Sequence, residues 1–141
     1  MTNILLDTDV ILDFFFDRKP FSEHSAKVLS LCESNEIKGF ITPVILSNLY
    51  YLLRQTSTHE KVIDKLSQLI SITEVLVIDR TSIIQALNSS FKDFEDALQN
   101  YSAESSGFIN LIITRNLKDF KNSSLSVMTP ENYLKTRIAS R

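Results

Sequence analysis

A short apolar run followed at once by an acid limits how the start of this chain can fold. Ile4-Leu5-Leu6 is apolar throughout, and Asp7 comes directly after it. Such a run is typical of a buried strand, and binding crevices in open α/β sheets lie at the carboxyl ends of the strands. Asp7 is therefore a candidate ligand for a divalent cation, because hard cations take oxygen donors. The alternative is that Asp7 or Thr8 only caps the next helix.

The rest of the chain alternates strand-like and helix-like segments. The predicted strands cover residues 3–6, 36–41, 74–78, 109–114 and 126–128. The predicted helices cover 8–16, 21–35, 43–55, 58–70, 80–89, a segment that begins at Asp93, and 130–138. Strands separated by helices imply βαβ units and a mainly parallel sheet of four to five strands. The fold class is therefore α/β, with one domain expected over residues 1–141.

Composition excludes several classes of protein. The formal net charge of -2 argues against the simplest kind of basic nucleic-acid-binding protein. Cys32 is the single cysteine, so neither an internal disulfide nor a cysteine–histidine metal site is expected. No apolar run reaches the roughly 18 residues of a membrane span, and the first residues lack a signal-peptide pattern. We therefore expect a cytoplasmic protein with no membrane association.

Several acidic side chains are expected at one edge of this sheet. In a parallel sheet the first and fourth strands end together, which brings Asp7 and Asp9 towards the segment 114–120. The acidic helix start at residues 93–96 can point into the same crevice. Carboxylates so placed repel one another and are stable together mainly when a cation neutralises them. Mg²⁺ or Mn²⁺ held there can activate water and clamp a phosphodiester.

Polar and basic neighbours could complete such a site. Neutral oxygen ligands or supporting hydrogen bonds could come from Ser47, Asn48, Thr114 and Asn116. Cations that could contact a phosphate backbone are Arg115, Lys118 and Lys121. Each feature also has a simpler explanation, in which the acids complement a helix dipole, Asp119 is a turn residue and the basic residues form a solvated face.

Three segments resemble the PIN domain, in particular the ribonucleases of the VapC toxin type. They are Leu5-Leu6-Asp7-Thr8-Asp9-Val10-Ile11-Leu12-Asp13, Asp93-Phe94-Glu95-Asp96-Ala97-Leu98-Gln99 and Ile112-Ile113-Thr114-Arg115-Asn116-Leu117-Lys118-Asp119-Phe120. Thr42-Pro43-Val44, before the third helix, is also similar to this family. The segments occur in the family's order and cover nearly the whole chain. The resemblance implies a three-layer α/β/α fold with a central, mainly parallel sheet.

The resemblance also implies a function and a set of site residues. It implies an endoribonuclease that depends on Mg²⁺ or Mn²⁺, with Asp7, Asp96 and Asp119 as catalytic metal ligands and Asp93 assisting. Asp9, Asn48, Thr114 and Asn116 would support the site, and Arg115 and Lys118 would contact RNA. A cognate antitoxin and a homodimer are the implied partners. One position departs from the family pattern, because Asn48 stands where a glutamate is expected on the third helix.

Other functions remain open at this stage. A catalytically weak PIN domain that binds RNA or protein is favoured by Asn48, because a neutral amide attracts a cation less than a carboxylate does. A phosphatase of the haloacid dehalogenase type fits Asp7-Thr8-Asp9, but Glu131 is the only acid after Asp119 where a pair is needed. A response-regulator receiver with Asp79 as phosphoacceptor does not explain the two consecutive helices predicted between residues 43 and 70.

Overall fold

A parallel sheet forms the centre of the fold in this computed structural model, which describes residues 1–140. Its strands are β1 (Asn3–Leu6), β2 (Lys38–Ile41), β3 (Glu74–Val75), β4 (Leu111–Ile113) and β5 (Ser126–Met128). The strand order is β3-β2-β1-β4-β5, and every neighbouring pair runs parallel. The predicted α/β class and the parallel sheet are confirmed.

Seven α-helices are described around the sheet in residues 1–140. They are α1 (Thr8–Phe15), α2 (Phe21–Glu33), α3 (Pro43–Arg54), α4 (His59–Ile72), α5 (Arg80–Leu87), α6 (Phe94–Ser106) and α7 (Pro130–Ala139). Side-chain caps begin several of them as predicted, since Thr42, Thr58 and Thr129 each accept a hydrogen bond from a backbone N–H three residues on. In this part of the chain, no helix has the length and apolarity needed to cross a membrane.

The apolar start of the chain forms the central strand. Ile4, Leu5 and Leu6 are completely buried, with β2 on one side and β4 on the other. A central parallel strand that is covered on both faces has no solvent-facing positions. This explains why β1 shows no alternation of apolar and polar residues.

Several strands are shorter than the sequence predicts. β3 was predicted over residues 74–78 but ends at Val75. Val77 is 73% exposed, and only the N–H of Leu76 still bonds to the carbonyl of Ile41. β4 likewise begins at Leu111, two residues later than predicted. Apolar and β-branched residues predict where a strand lies, but loss of hydrogen-bonding partners decides where it ends.

The order in which the chain adds strands to the sheet reverses at β1. After β1 it passes to β2 and β3 on one side, then crosses back to β4 and β5 on the other. In open α/β sheets a crevice forms at such a switch point, outside the carboxyl ends of the strands. Leu6 is in register with Ile113, so the next residues, Asp7 and Thr114, lie side by side at that edge.

Candidate metal centre

Asp7 is held rigidly at the carboxyl end of β1. Its backbone N–H donates to the carbonyl of Ile113 at 3.0 Å, which continues the β1–β4 pairing by one residue. Its carboxylate accepts from the hydroxyl of Thr114 and from the backbone N–H of Thr8, both at 2.8 Å. Thr114 is fully buried. Asp7 is thus both the cap of α1, as the simpler interpretation required, and a buried acid in the crevice.

The first turn of α6 brings further acids to Asp7. Asp93 caps the helix by accepting from the backbone N–H of Asp96 at 2.9 Å. Asp96 is buried, at 9% exposure. Glu95 is half-buried and accepts a hydrogen bond from the hydroxyl of Thr8 at 3.2 Å. The acidic first turn of helix α6 therefore lies at the switch point, next to Asp7 and Thr8.

The two buried carboxyls are strongly perturbed. Burial, followed by the charge of Asp9, raises the pKa of Asp7 to about 7, although the hydrogen bonds from Thr114 and Thr8 oppose the rise. Burial also raises the pKa of Asp96 to about 8, with added repulsion from Asp7, Asp93, Asp119 and Glu95 in that order. Asp96 is therefore within electrostatic reach of four other carboxyls. Together with Asp9, these residues form what we call the acidic cluster: Asp7, Asp9, Asp93, Glu95, Asp96 and Asp119.

Asp119 reaches this cluster from a short 3₁₀ helix, Leu117–Phe120, that the sequence did not predict. Phe120 is buried and anchors the turn, while Asp119 stays exposed. Asp93 and Asp119 line one small cavity of about 70 Å³. The lysines that line the same cavity are Lys92, Lys118 and Lys121. A basic rim therefore stands beside the acidic cluster.

Arg115 is engaged with a buried acid that the sequence did not single out as a site residue. Asp13 on α1 is fully buried, and its carboxylate accepts from Nε and Nη2 of Arg115, the latter at 3.1 Å. Arg18 also approaches Asp13, at 3.5 Å. The backbone N–H of Arg115 donates to Asp9 at 3.1 Å. The guanidinium of Arg115 is thus fixed in place, unlike the ammonium group of the exposed Lys118.

Two of the supporting residues make less contact with the cluster. Asn48 is half-buried on α3, and among residues 1–140 no hydrogen bond joins it to an acidic cluster side chain. It lies one helical turn after Val44, which packs against an apolar group that includes Ala97 and Leu98 of α6. Asn116 is exposed, and its backbone N–H donates to the hydroxyl of Thr114 at 3.0 Å.

The chemistry of these donors fits a hard divalent cation. Carboxylate oxygens are the ligands that Mg²⁺ and Mn²⁺ prefer. A cation would offset the burial of the charges of Asp7 and Asp96, which is the main cause of their raised pKa values, and would relieve the repulsion that adds to it. One oxygen of Asp9 is buried with no hydrogen-bond partner. Within residues 1–140, however, no three acidic, histidine or cysteine side chains are grouped closely enough to hold a metal ion as they stand. The donor types fit, and the carboxylates would have to move closer together around an ion.

Sequence reasoning left Glu95 and Asp13 outside the predicted site. Both lie in the segments that carry the family resemblance, and Glu95 belongs to the acidic helix start that was expected to point into the crevice, but neither was assigned a role there. The signal for Glu95 was its position directly before Asp96, in the same first turn of α6. For Asp13 the signal was its spacing from Asp9, because residues four apart share one face of a helix.

The fold is defined by a parallel sheet with a switch point at β1 and by an acidic crevice at that point. A family model described as PIN domain matches residues 3–118. The chain therefore belongs to the PIN domain family. Asp7, Asp93 and Asp96 lie inside the matched residues, and Asp119 lies one residue beyond them.

Individual relatives are similar over almost the full length. Ribonuclease VapC1 of Aquifex aeolicus is 23% identical over 135 residues, which is 92% of each protein. Among solved structures, DNA-bound VapBC of Salmonella typhimurium has a TM-score of 0.68 at 22% identity, with 92% of this chain and 99% of that chain covered. VapBC-1 of nontypeable Haemophilus influenzae has a TM-score of 0.68 at 15% identity, with the same coverage. These structures share the fold, and the resemblance to the VapC type is confirmed.

Proposed function

We propose that this protein is a metal-dependent endoribonuclease of the VapC toxin type. The observation that carries the proposal is the burial of Asp7 beside Asp96. Burial raises the pKa of Asp7 to about 7 and that of Asp96 to about 8. Two acids kept together at such a cost to the fold are typical of a functional site. The PIN family match and the similarity to Ribonuclease VapC1 support the same reaction class.

Asp7, Asp96 and Asp119, assisted by Asp93, would hold Mg²⁺ or Mn²⁺. Glu95 joins this set, because its charge acts on both Asp7 and Asp96. When bound, such an ion neutralises phosphate charge and lowers the pKa of water. Residues of the chain position the ligands for such an ion: the hydroxyl of Thr114 and the backbone N–H of Thr8 hold the Asp7 carboxylate in place. Asp9 and Asn116 take supporting positions around this arrangement, and Asn48 would approach it from α3.

Lysines on the basic rim would bind the RNA backbone next to the acidic cluster. Lys118 is exposed and lines the same cavity as Asp119. Lys92 and Lys121 extend this rim. Arg115 would contact RNA only with the part of its guanidinium that faces away from Asp13. Phosphate contacts of this kind position a strand without reading its sequence.

An antitoxin partner, a homodimer and a cytoplasmic location belong to the same proposal. The structural neighbours of Salmonella typhimurium and Haemophilus influenzae are VapBC assemblies. A nuclease of this type needs restraint by a cognate protein wherever cellular RNA is accessible. Size measurements of the purified chain, alone and with its co-expressed partner, would test both assemblies.

A catalytically weak PIN domain that binds RNA or protein is the second candidate. Two observations favour it: Asn48 carries no charge, and no group of three donors in residues 1–140 is ready to hold a metal ion. In that case the chain would bind RNA without cutting it, and divalent cations would not change the binding.

Cleavage of cellular RNA separates the two candidates. Total cellular RNA is incubated with the purified chain and Mg²⁺ or Mn²⁺, with and without a chelator, and new RNA ends are mapped. We expect discrete new ends that vanish with the chelator, and a loss of at least about 100-fold in rate for Asp96→Asn, because the variant removes a ligand. Glu60→Gln, in the exposed first turn of α4, is the control and should cut normally. Equal cutting by Asp96→Asn would reject the proposed site.

A further inference from the structure

A pocket of about 350 Å³ opens beside the acidic cluster, between α2 and α7. Phe21 and His24 of α2 form one wall, and Thr129, Pro130 and Glu131 at the start of α7 form the other. Arg115, after β4, closes one end. Thr129 follows β5 directly, so this α2–α7 pocket lies at the same carboxyl edge of the sheet as Asp7.

Arg115 lines the pocket and also contacts the acidic cluster. Its backbone N–H donates to Asp9, while its guanidinium lies over the Phe21 ring at 4.1 Å from the ring centre. Asp13 receives both Arg115 and Arg18, so one carboxylate faces two guanidinium groups. The charges of Asp9 and Asp13 both act on Arg115, so these two carboxylates balance the two guanidinium groups. What Arg115 offers a phosphate is its guanidinium N–H donors, placed between the acidic cluster and the pocket.

The lining of the pocket suits a base better than a phosphate. Phe21, which is 38% exposed, and the half-buried His24 offer flat ring surfaces, which is what unstacked bases of single-stranded RNA pack against. Glu131 is exposed and carries a carboxylate, which repels phosphate but accepts hydrogen bonds from an amino group such as cytosine N4. Its one described ion pair is an exposed contact with Lys135 at 3.4 Å. Exposed pairs of this kind contribute little, so the carboxylate can change partner.

We propose that the α2–α7 pocket binds a nucleobase with an exocyclic amino group, on the RNA strand whose phosphate lies at the acidic cluster. This inference rests on the proposed nuclease function and adds to it a place where the substrate's sequence is read. His24 stacks on the base, Glu131 accepts from its amino group, and the Arg115 guanidinium approaches the connecting phosphate.

The test measures binding of fluorescein-labelled oligocytidylate, oligoadenylate and oligouridylate to the full chain, in chelator so that no cutting occurs. We expect the two amino-bearing oligomers to bind about ten-fold more tightly than oligouridylate, the lower part of the range for one base contact. Glu131→Ala should remove that ratio. His24→Ala should weaken binding of all three oligomers by about ten-fold, as loss of one stacking contact does.

Matched controls separate the pocket from general charge effects. Glu60→Ala removes an acid from the corresponding first-turn position of α4, and His59→Ala removes the other histidine. Both should keep the wild-type affinity for each of the three oligomers, and therefore also the wild-type ratio. Equal binding of the three oligomers by wild type would overturn the proposal, and so would a ratio that Glu131→Ala leaves unchanged. An unchanged ratio is also what we expect if the pocket holds a protein side chain and not a base.

The two proposals can fail separately. If the chain with Mn²⁺ cuts no cellular RNA but Glu131→Ala still removes the amino preference, the nuclease function falls and the base site stands. If cutting proceeds with its usual metal dependence while every variant keeps the wild-type ratio, the base site falls and the nuclease function stands.

Discussion

Asp7 is an ionisable side chain that the fold keeps almost completely out of water. Its ordinary pKa is 3.8, and burial with the charge of Asp9 moves it to about 7. Between those two pH values the folded protein binds more protons than the unfolded chain. Stability therefore falls as the pH rises from about 4 to about 7, and the fold bears this cost in full above the folded pKa.

Asp7→Asn should remove that cost while keeping the hydrogen bond from Thr8. We expect the melting temperature of the variant, measured in chelator, to exceed that of wild type by a few degrees at about pH 8. The difference should vanish or reverse at about pH 3, below both pKa values, where Asp7 is mostly protonated in the folded and the unfolded state. Circular dichroism during heating at the two pH values gives the comparison.

Asp79→Asn is the matched control for this experiment. Asp79 caps α5, and hydrogen bonds from Ser82 lower its pKa, so its charge favours the fold and its neutralisation should give no gain at about pH 8. A melting temperature for Asp7→Asn that equals wild type at both pH values would show that burial of Asp7 carries no cost.

At the scale of elements, α6 supplies an acid that α3 lacks. Glu95 acts electrostatically on Asp7 and Asp96, whereas Asn48 is neutral. Glu95→Gln keeps an acceptor for Thr8 but removes the charge, so we expect Mn²⁺ affinity to fall by about ten-fold, the scale of a lost neighbouring carboxylate. Asn48→Glu in that background should restore part of the affinity, because position 48 lies one helical turn after Val44, which packs against the apolar group that includes Ala97 and Leu98 of α6.

Calorimetric titration of the single and double variants measures this exchange, with Glu60→Gln as the charge-matched control. If Glu95→Gln binds Mn²⁺ as tightly as wild type, Glu95 lies outside the metal site. If Asn48→Glu restores nothing, position 48 does not face the site.

Strand β2 approaches α2 so closely that Gly39 has no room for a side chain. A Cβ atom there would lie 2.6 Å from the Cys32 sulfur and 3.2 Å from Cδ1 of Leu6. We expect Gly39→Ala to lower the free energy of unfolding by about 1–3 kcal/mol through overpacking. In a Cys32→Ala background the added cost should fall below about 1 kcal/mol, since the closest atom is gone. Urea unfolding of the four proteins measures the coupling.

Gly107→Ala is the control for this cycle. Gly107 has φ of 74° at the end of α6, and nothing lies within 4 Å of a Cβ placed there. Its replacement should cost about 1 kcal/mol from backbone conformation alone, with or without Cys32. Equal costs for Gly39→Ala in both backgrounds would show that the Cys32 contact does not limit this position.

For the molecule as a whole, local patterns predicted the elements better than their ends. The apolar run of β1 and the threonine caps at Thr42, Thr58 and Thr129 were visible because each depends on neighbouring residues alone. The short β3 and the 3₁₀ helix that carries Asp119 were not, because both depend on what the rest of the fold covers or leaves open.

The candidate site shows the same division. Asp7 could be predicted from its place after a buried strand, and Asp96 from the acidic start of a helix. The Asp13–Arg115 pair joins residues 102 apart, and the hydrogen bond from Thr8 to Glu95 joins residues 87 apart. Such contacts depend on how the helices pack on the sheet, and a local sequence pattern does not predict that packing. The functional roles of all the predicted site residues stay predictions: Asp7, Asp9, Asn48, Asp93, Asp96, Thr114, Arg115, Asn116, Lys118 and Asp119.

Metal binding at the acidic cluster is the central claim, and titration of Mn²⁺ into wild type and Asp96→Asn tests it most directly. Binding needs charged carboxylates, so the raised pKa values of Asp7 and Asp96 predict that protons are released and that affinity increases from about pH 6 to about pH 8. Calorimetry in two buffers of different ionisation enthalpy measures both effects. We expect wild type to bind with proton release and Asp96→Asn to bind at least about ten-fold more weakly, with fewer protons released. Equal binding by the two proteins, or no binding by wild type, would contradict the account.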